Sequence, residues 1–180
     1  MNVRRVVTGH DASGKAVFVS DALVKPIGVA LLPGVEFHRL WNGDESPRFP
    51  DDGTMPVTGS YFPPVGGFRF GFFTLPPAAA GNPVDDTFDA SAALKELEEK
   101  LPGLFQYMEP DAPGMHTTPT IDFEVVLSGE VILELDNGAT TTLRPGDTVV
   151  QNGTRHRWRN ESATAATLAY FICGARHERC

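Results

Sequence analysis

The sequence predicts an all-β fold, a small barrel or sandwich carrying one short helix, and three observations lead there. Short apolar runs rich in Val, Ile, Thr and Phe recur along the chain. Fifteen prolines and eighteen glycines among 180 residues punctuate those runs, as turns do between strands. From Gly114 onward at least five such runs follow one another closely, the spacing of a barrel or sandwich. A chain of 180 residues, 41% hydrophobic and 21% charged, is long enough for one well-buried core and short for two, so residues 1–180 are expected to form a single domain.

The elements follow in order. "RRVVTG" and "KAVFVSD" are β-branched runs joined by "HDASG", a hairpin in which Gly14 supplies the turn dihedral. "GVEFHRLWNG" alternates Phe37, Arg39 and Trp41 against Glu36, His38 and Leu40 and ends at Asn42-Gly43, a further strand. "DESPRFPDDGTMPVTGSYFPPVGG" is too rich in Pro, Gly and Asp to pair as a central strand and reads as a long surface loop. "FRFGFF" sets Phe68, Phe70 and Phe72 on one face, an apolar stripe that needs a partner surface. "DDTFDASAALKELEEKLPG" is the helix: Asp and Ser offer caps, Leu94, Leu97 and Leu101 line one side, and Pro102-Gly103 stops it. Its Glu96, Glu98 and Glu99 form a solvated face. After it come "IDFEVVLSGEVILEL", the turn "DNG", "TTTLRPGDTVV", "HRWRN" and "ATLAYFIC", all read as strands.

Charge narrows the partners. A net charge of −8 argues against nucleic acid, whose phosphates require clustered Lys and Arg. No stretch approaches the roughly 20 apolar residues that span a bilayer, and "MNVRRVVTGHDASGK" lacks the apolar run of a signal peptide, so a cytoplasmic protein without a membrane partner is expected. Cys173 and Cys180 form no CxxC pair, which fits a reducing compartment, with Cys173 a small core residue.

The second half resembles the cupin superfamily, whose first motif has the form G-x5-H-x-H-x(3,4)-E-x6-G and whose second has G-x5-P-x-G-x2-H-x3-N. His116 stands at the first histidine, Thr118 in place of the second, Asp122 in place of the glutamate, and Gly129 closes the motif. The second motif keeps Gly146, Gly153, His156 and Asn160, has Asn152 near the usual proline, and is one residue shorter between its glycines. The resemblance implies a cupin-type double-stranded β-helix, a jelly-roll barrel. It divides the chain into an N-terminal β extension over 1–75, a linker with the short helix over 76–113, and the cupin core over 114–175. It also implies a homodimer built through edge strands of the extension.

Strand alternation points Thr120, Asp122, Glu124 and Val126 to one face and Ile121, Phe123, Val125 and Leu127 to the other. If the carboxylates face inward, the apolar outer face needs a cover, and the N-terminal strands with Phe68, Phe70 and Phe72 are the expected one. The same alternation sets His156 and Trp158 inward against Arg155, Arg157 and Arg159, read as a solvated stripe. Two imidazoles and a carboxylate inside a small barrel can hold one divalent transition metal, Fe, Mn, Ni or Zn, with positions left open. His116, Asp122 and His156 are the expected ligands and Glu124 the acid/base; Thr118 and Trp158 line the substrate pocket. No nucleotide-cofactor pattern is present. The same residues also allow hydrogen-bonded core roles instead. His10 and His177 are expected to be exposed, and His38 fits an inner strand position without being assigned as a ligand. The expected activity is that of a metal-dependent dioxygenase or decarboxylase/lyase on a small organic substrate bearing a carbonyl, carboxylate or phenol. The alternatives are a metal-free isomerase or dehydratase using His and carboxylate proton transfer, and a non-catalytic small-ligand-binding cupin.

Overall fold

The structure is a computed structural model that describes residues 2–77 and 88–178, so Asp85 and Asp86 of the helix segment, and Cys180, lie outside the described residues. Among the described residues ten strands and one α-helix follow in chain order: β1 (Val3–His10), β2 (Ala16–Val24), β3 (Glu36–Gly43), β4 (Phe68–Leu75), α1 (Ala90–Lys100), β5 (Thr120–Ser128), β6 (Val131–Glu134), β7 (Thr140–Leu143), β8 (Thr148–Asn152), β9 (Arg157–Arg159) and β10 (Ala166–Gly174). They pair as a β1-β2 hairpin, a five-stranded sheet β3-β4-β10-β5-β8 and a three-stranded sheet β7-β6-β9. The two larger sheets form the walls of a jelly roll. The predicted hairpin, strands and helix are all present, and Gly14 turns the first hairpin at φ +79°.

Antiparallel register decides which side chains share a face. Across the five-stranded sheet one inner row runs Arg39, Gly71, Tyr170, Glu124 and Val149, and the next runs Asn42, Arg69, Ile172, Asp122 and Gln151. Between them on the opposite face lies Trp41, Phe70, Phe171, Phe123 and Val150. The expected inward placement of Thr120, Asp122, Glu124 and Val126 therefore holds, and all four are buried. Strand β3 departs from simple alternation. A register shift between Arg39 and Trp41 makes Leu40 an extra residue, so Trp41 joins the outer row opposite Phe70 while Arg39 stays inside, a β-bulge that turns the strand over.

The cover of the outer face also differs from expectation. Strand β4 pairs directly with β10, so Phe68, Phe70 and Phe72 belong to the same outer face as Phe123 rather than lying over it. The cover is the β1-β2 hairpin, which leaves a groove of about 1180 Å³ walled by Val3, Trp41, Phe68, Phe70, Phe72 and Phe171.

Inside, one apolar cluster joins Phe37, Tyr61, Phe62, Tyr170 and Ile172 to helix residues Leu97 and Leu101, and a second joins Val126, Val131, Leu133, Leu143 and Leu168. The helix starts where the Asp89 carboxylate accepts from the Ser91 and Ala92 amides, an N-cap worth about 1 kcal/mol. Leu97 and Leu101 are fully buried as expected, but Leu94 is exposed and Ala93 takes its place against the core. The long loop after β3 is tied down by Arg69. Its buried guanidinium donates to the carbonyls of Gly43, Ser60, Tyr61 and Phe68 at 2.8–3.3 Å and to the Asp44 carboxylate at 2.7 Å. Gly129 is required where it stands: at φ +74° any Cβ would lie 2.5 Å from the Ala165 carbonyl oxygen.

Candidate functional site

His116 and His156 are brought together by backbone pairing. Each donates its amide to the other's carbonyl, at 2.9 and 3.0 Å, in an isolated antiparallel bridge. Their rings then meet with centroids 4.2 Å apart. Each Nδ1 lies 2.9 Å from a carbonyl oxygen two residues earlier, Gly114 for His116 and Thr154 for His156. A carbonyl can only accept, so in the neutral ring Nδ1 carries the proton and Nε2 keeps its lone pair. Burial opposes the charged form of both rings. His116 is lowered from the usual imidazole range, and His156 is pulled to about 4, first by burial and then by the neighbouring His116.

Facing inward from β5 are two carboxyl groups, on residues only 5% (Asp122) and 7% (Glu124) exposed. Asp122 Oδ1 and Glu124 Oε2 are buried without a hydrogen-bond partner. Burial raises Asp122 to about 6, partly offset by a hydrogen bond with Thr120. Glu124 lies well above the ordinary carboxylate range, through burial and then the charge of Asp122. Burial thus favours the protonated form of Glu124, a carboxylic acid able to donate. Thr118 is buried, and its hydroxyl lies 2.8 Å from that of Thr120. Trp158 stands edge-on to His156 at 6.2 Å and beside Phe73 at 6.1 Å, an apolar wall next to the imidazoles.

Four further residues join the site. Tyr170 is the cross-strand neighbour of Glu124, and its hydroxyl lies 3.5 Å from that of Tyr61, which the long loop delivers. Burial raises both phenols, so both stay protonated. Arg39 shares their inner row and donates to Thr58 at 2.9 Å. Gln151 pairs across from Asp122. The alternation of Arg39 with Phe37, and of Tyr170 with Leu168 and Ile172, was a usable signal for the strand residues; Tyr61 sits in an irregular loop that carries no period.

A transition metal can be tested against these donors. His116 and His156 offer adjacent lone pairs, but the Thr118 hydroxyl is engaged with Thr120 and does not replace a third imidazole. Among the described residues no three His, Cys, Asp or Glu side chains form a group that could hold a metal ion. The residues do not fit a three-ligand centre as they are arranged, and no chemical step below passes through a metal.

The arginine stripe is not simply solvated. Arg155 bridges Glu109 at 2.6 Å and Asp136 at 2.8 Å, and Arg157 and Arg159 hold Glu134 from two sides at 2.8 and 2.9 Å. These pairs brace the segment before His116 and the small sheet. His38 is fully buried on the outer-face side of β3 with no partner on either ring nitrogen, away from the imidazole pair. His10 bonds the Asp51 backbone, and His177 lies 3.3 Å from the Gly153 carbonyl in the exposed tail. Among the described residues no helix is long and apolar enough to cross a membrane.

Comparison with known proteins places this geometry among others. The cupin domain family matches residues 104–173. Phomopsin biosynthesis cluster protein D of Diaporthe leptostromiformis is 32% identical over 93% of this chain and 76% of its own length. The cupin-domain-containing oxidoreductase fogC of Aspergillus ruber is 40% identical over 88% of this chain and 64% of its own. Among solved structures, the cupin domain of Schizosaccharomyces pombe Cnp3 matches with a TM-score of 0.50 at 11% identity, covering 95% of this chain and 87% of that one.

Proposed function

We propose, for a chain that belongs to the cupin superfamily, that the barrel is the active site of an enzyme that moves protons on a small organic substrate, in an isomerisation or dehydration adjacent to a carbonyl. The observation that carries this reading is the pairing of opposite protonation states. Two neutral imidazoles present Nε2 lone pairs, while a buried carboxylic acid faces the same interior. Environments that push acid and base apart in this way keep the base free of its proton and the acid supplied with one, the starting state each role needs.

In this mechanism an imidazole Nε2 of the His116–His156 pair takes a proton from the carbon next to the substrate carbonyl. The electron pair moves onto the carbonyl oxygen, which the Glu124 carboxyl group and the Tyr170 phenol stabilise by donating hydrogen bonds. In an isomerisation Glu124 then returns a proton to carbon; in a dehydration it protonates the departing hydroxyl. Trp158 and Phe73 keep water from the imidazole side.

A metal-dependent reading, of dioxygenase or decarboxylase/lyase type, is supported by the two adjacent Nε2 lone pairs and by the relative that is named an oxidoreductase. One pair of measurements separates the two. Incubation of carbonyl-bearing substrates in deuterium oxide is expected to place deuterium on the carbon next to the carbonyl, with the rate lost in His156→Ala and Glu124→Gln. Elemental analysis of the purified protein before and after exposure to Fe, Mn, Ni and Zn is expected to show no stoichiometric metal. Stoichiometric metal that disappears in His116→Ala and His156→Ala, with no deuterium incorporation, would overturn the proposal.

A further inference from the structure

Arg39 is a charged group of the barrel interior that neither the proton-transfer scheme nor any salt bridge among the described residues uses. Register places it in one inner row with Gly71, Tyr170 and Glu124. Its side chain makes one hydrogen bond, to Thr58 Oγ1, and among the described residues it pairs with no carboxylate. It is half-buried, whereas the carboxyls that share its sheet face, Asp122 and Glu124, are each left with an oxygen lacking any partner. Gly71, between Arg39 and Tyr170 in the row, lets the Tyr170 phenol lie against the β4 backbone: a Cβ there would come within 2.6 Å of Tyr170 Cζ and closer still to its hydroxyl. The Arg39 charge also acts on both phenols, opposing the rise that burial causes. A half-buried guanidinium in this row, with one hydrogen bond and no carboxylate in salt-bridge reach among the described residues, has donors left over.

We propose that Arg39 is the anion-recognition residue of this site and that the substrate carries a carboxylate, which the guanidinium fork receives with Tyr61 and Tyr170 donating beside it. The planar fork matches a carboxylate through two parallel hydrogen bonds, a geometry that Lys does not reproduce. Arg39 stands three strands from Glu124 along the row, about 14 Å at the usual strand spacing, so a substrate anchored there by its carboxylate reaches across Gly71 and Tyr170 toward the acid. This assignment rests on the proton-transfer reading for its site, but binding can be read without turnover.

The test is titration of the full chain with acetate, pyruvate and benzoate, each followed by calorimetry or amide chemical shifts, with benzamide as the neutral counterpart of benzoate. At least one carboxylate is expected to bind saturably and benzamide more weakly. Arg39→Gln is expected to raise the carboxylate dissociation constant about tenfold or more, as loss of a charge-assisted hydrogen bond does, with Arg39→Lys intermediate and Lys95→Gln, on the exposed face of α1, unchanged. Matching circular dichroism and unfolding midpoints establish that the variants are folded. Absence of saturable binding by all three carboxylates, or equal binding by wild type and Arg39→Gln, overturns the assignment. Loss of carboxylate binding in Arg39→Gln, alongside a failed deuterium experiment, leaves the anion site standing and removes the proton-transfer reading instead.

Discussion

Replacing Asp122 by Asn tests whether the carboxyl pair is neutral or is held as an anion by a cation. Burial raises the Asp122 carboxyl from the ordinary 3.8 to about 6. At about 1.4 kcal/mol per pH unit, this amounts to about 3 kcal/mol. The sign follows from the raised value. Between pH 3.8 and 6 the unfolded chain has released this proton and the folded chain still holds it, so stability falls as pH rises, and the full penalty is present above pH 6. Asn is isosteric and stays neutral, so Asp122→Asn escapes the penalty. The two proteins are expected to have similar stability near pH 4, with a gap in favour of the variant that opens through pH 6 and reaches about 3 kcal/mol above pH 7. For a chain of this length that gap corresponds to about 6–12 °C in Tm. Urea unfolding at half-unit pH steps reads it directly. A variant less stable than wild type at pH 7 would refute the reasoning, because it would mean that the ionised carboxylate is stabilised in the fold.

His156 works in the opposite direction. With its folded value drawn from 6.5 to about 4, the wild type is expected to lose about 3 kcal/mol relative to His156→Gln as pH falls from 6.5 to 4, measured in the same urea series; a gap that does not vary with pH would count against the buried neutral imidazole. Arg69→Leu strips the hydrogen bonds that anchor the loop carrying Tyr61 and is expected to cost about 3 kcal/mol or more, with faster limited proteolysis between residues 44 and 67. Unchanged loop protection would show that the loop is held by its other contacts.

Much of the barrel was legible because strand faces repeat with a period of two. Thr120, Asp122, Glu124 and Val126 sit where alternation puts them, and so do His156 and Trp158. What escaped are the places where that period is broken or silent. An extra residue in β3 moved Trp41 to the outer face, and no local pattern marks a bulge in advance. Strand β4 read as a cover because its aromatic stripe is as apolar as the surface it was meant to cover; sheet partnership between distant segments is not written in either one. Leu94 and Ala93 exchange roles because a helix of three turns offers two adjacent apolar lines, and the neighbouring sheet selects one. Arg155, Arg157 and Arg159 were assigned to solvent by their alternation, which is correct about direction but silent about Glu109, Asp136 and Glu134 waiting there. The histidine pair was predicted from motif spacing, whereas the tautomer that gives it chemistry depends on two backbone carbonyls that only the folded chain brings near.

The bulge at Leu40 has a bearing on how this strand can change length. Arg39 already pairs with Gly71 and Trp41 with Phe70, consecutive residues of β4, so Leu40 is surplus to the ladder. Deleting that single residue leaves Phe37 and Arg39 inside, His38 and Trp41 outside, and Asn42 still opposite Arg69, at the cost of the buried Leu40 side chain and of the Leu40 carbonyl that Arg5 bonds beneath the hairpin. Deleting Arg39 instead removes the inward cation outright. A change of length within β3 thus keeps the ladder in register only at that codon, and sequences related to this one that differ in length within the strand should differ there.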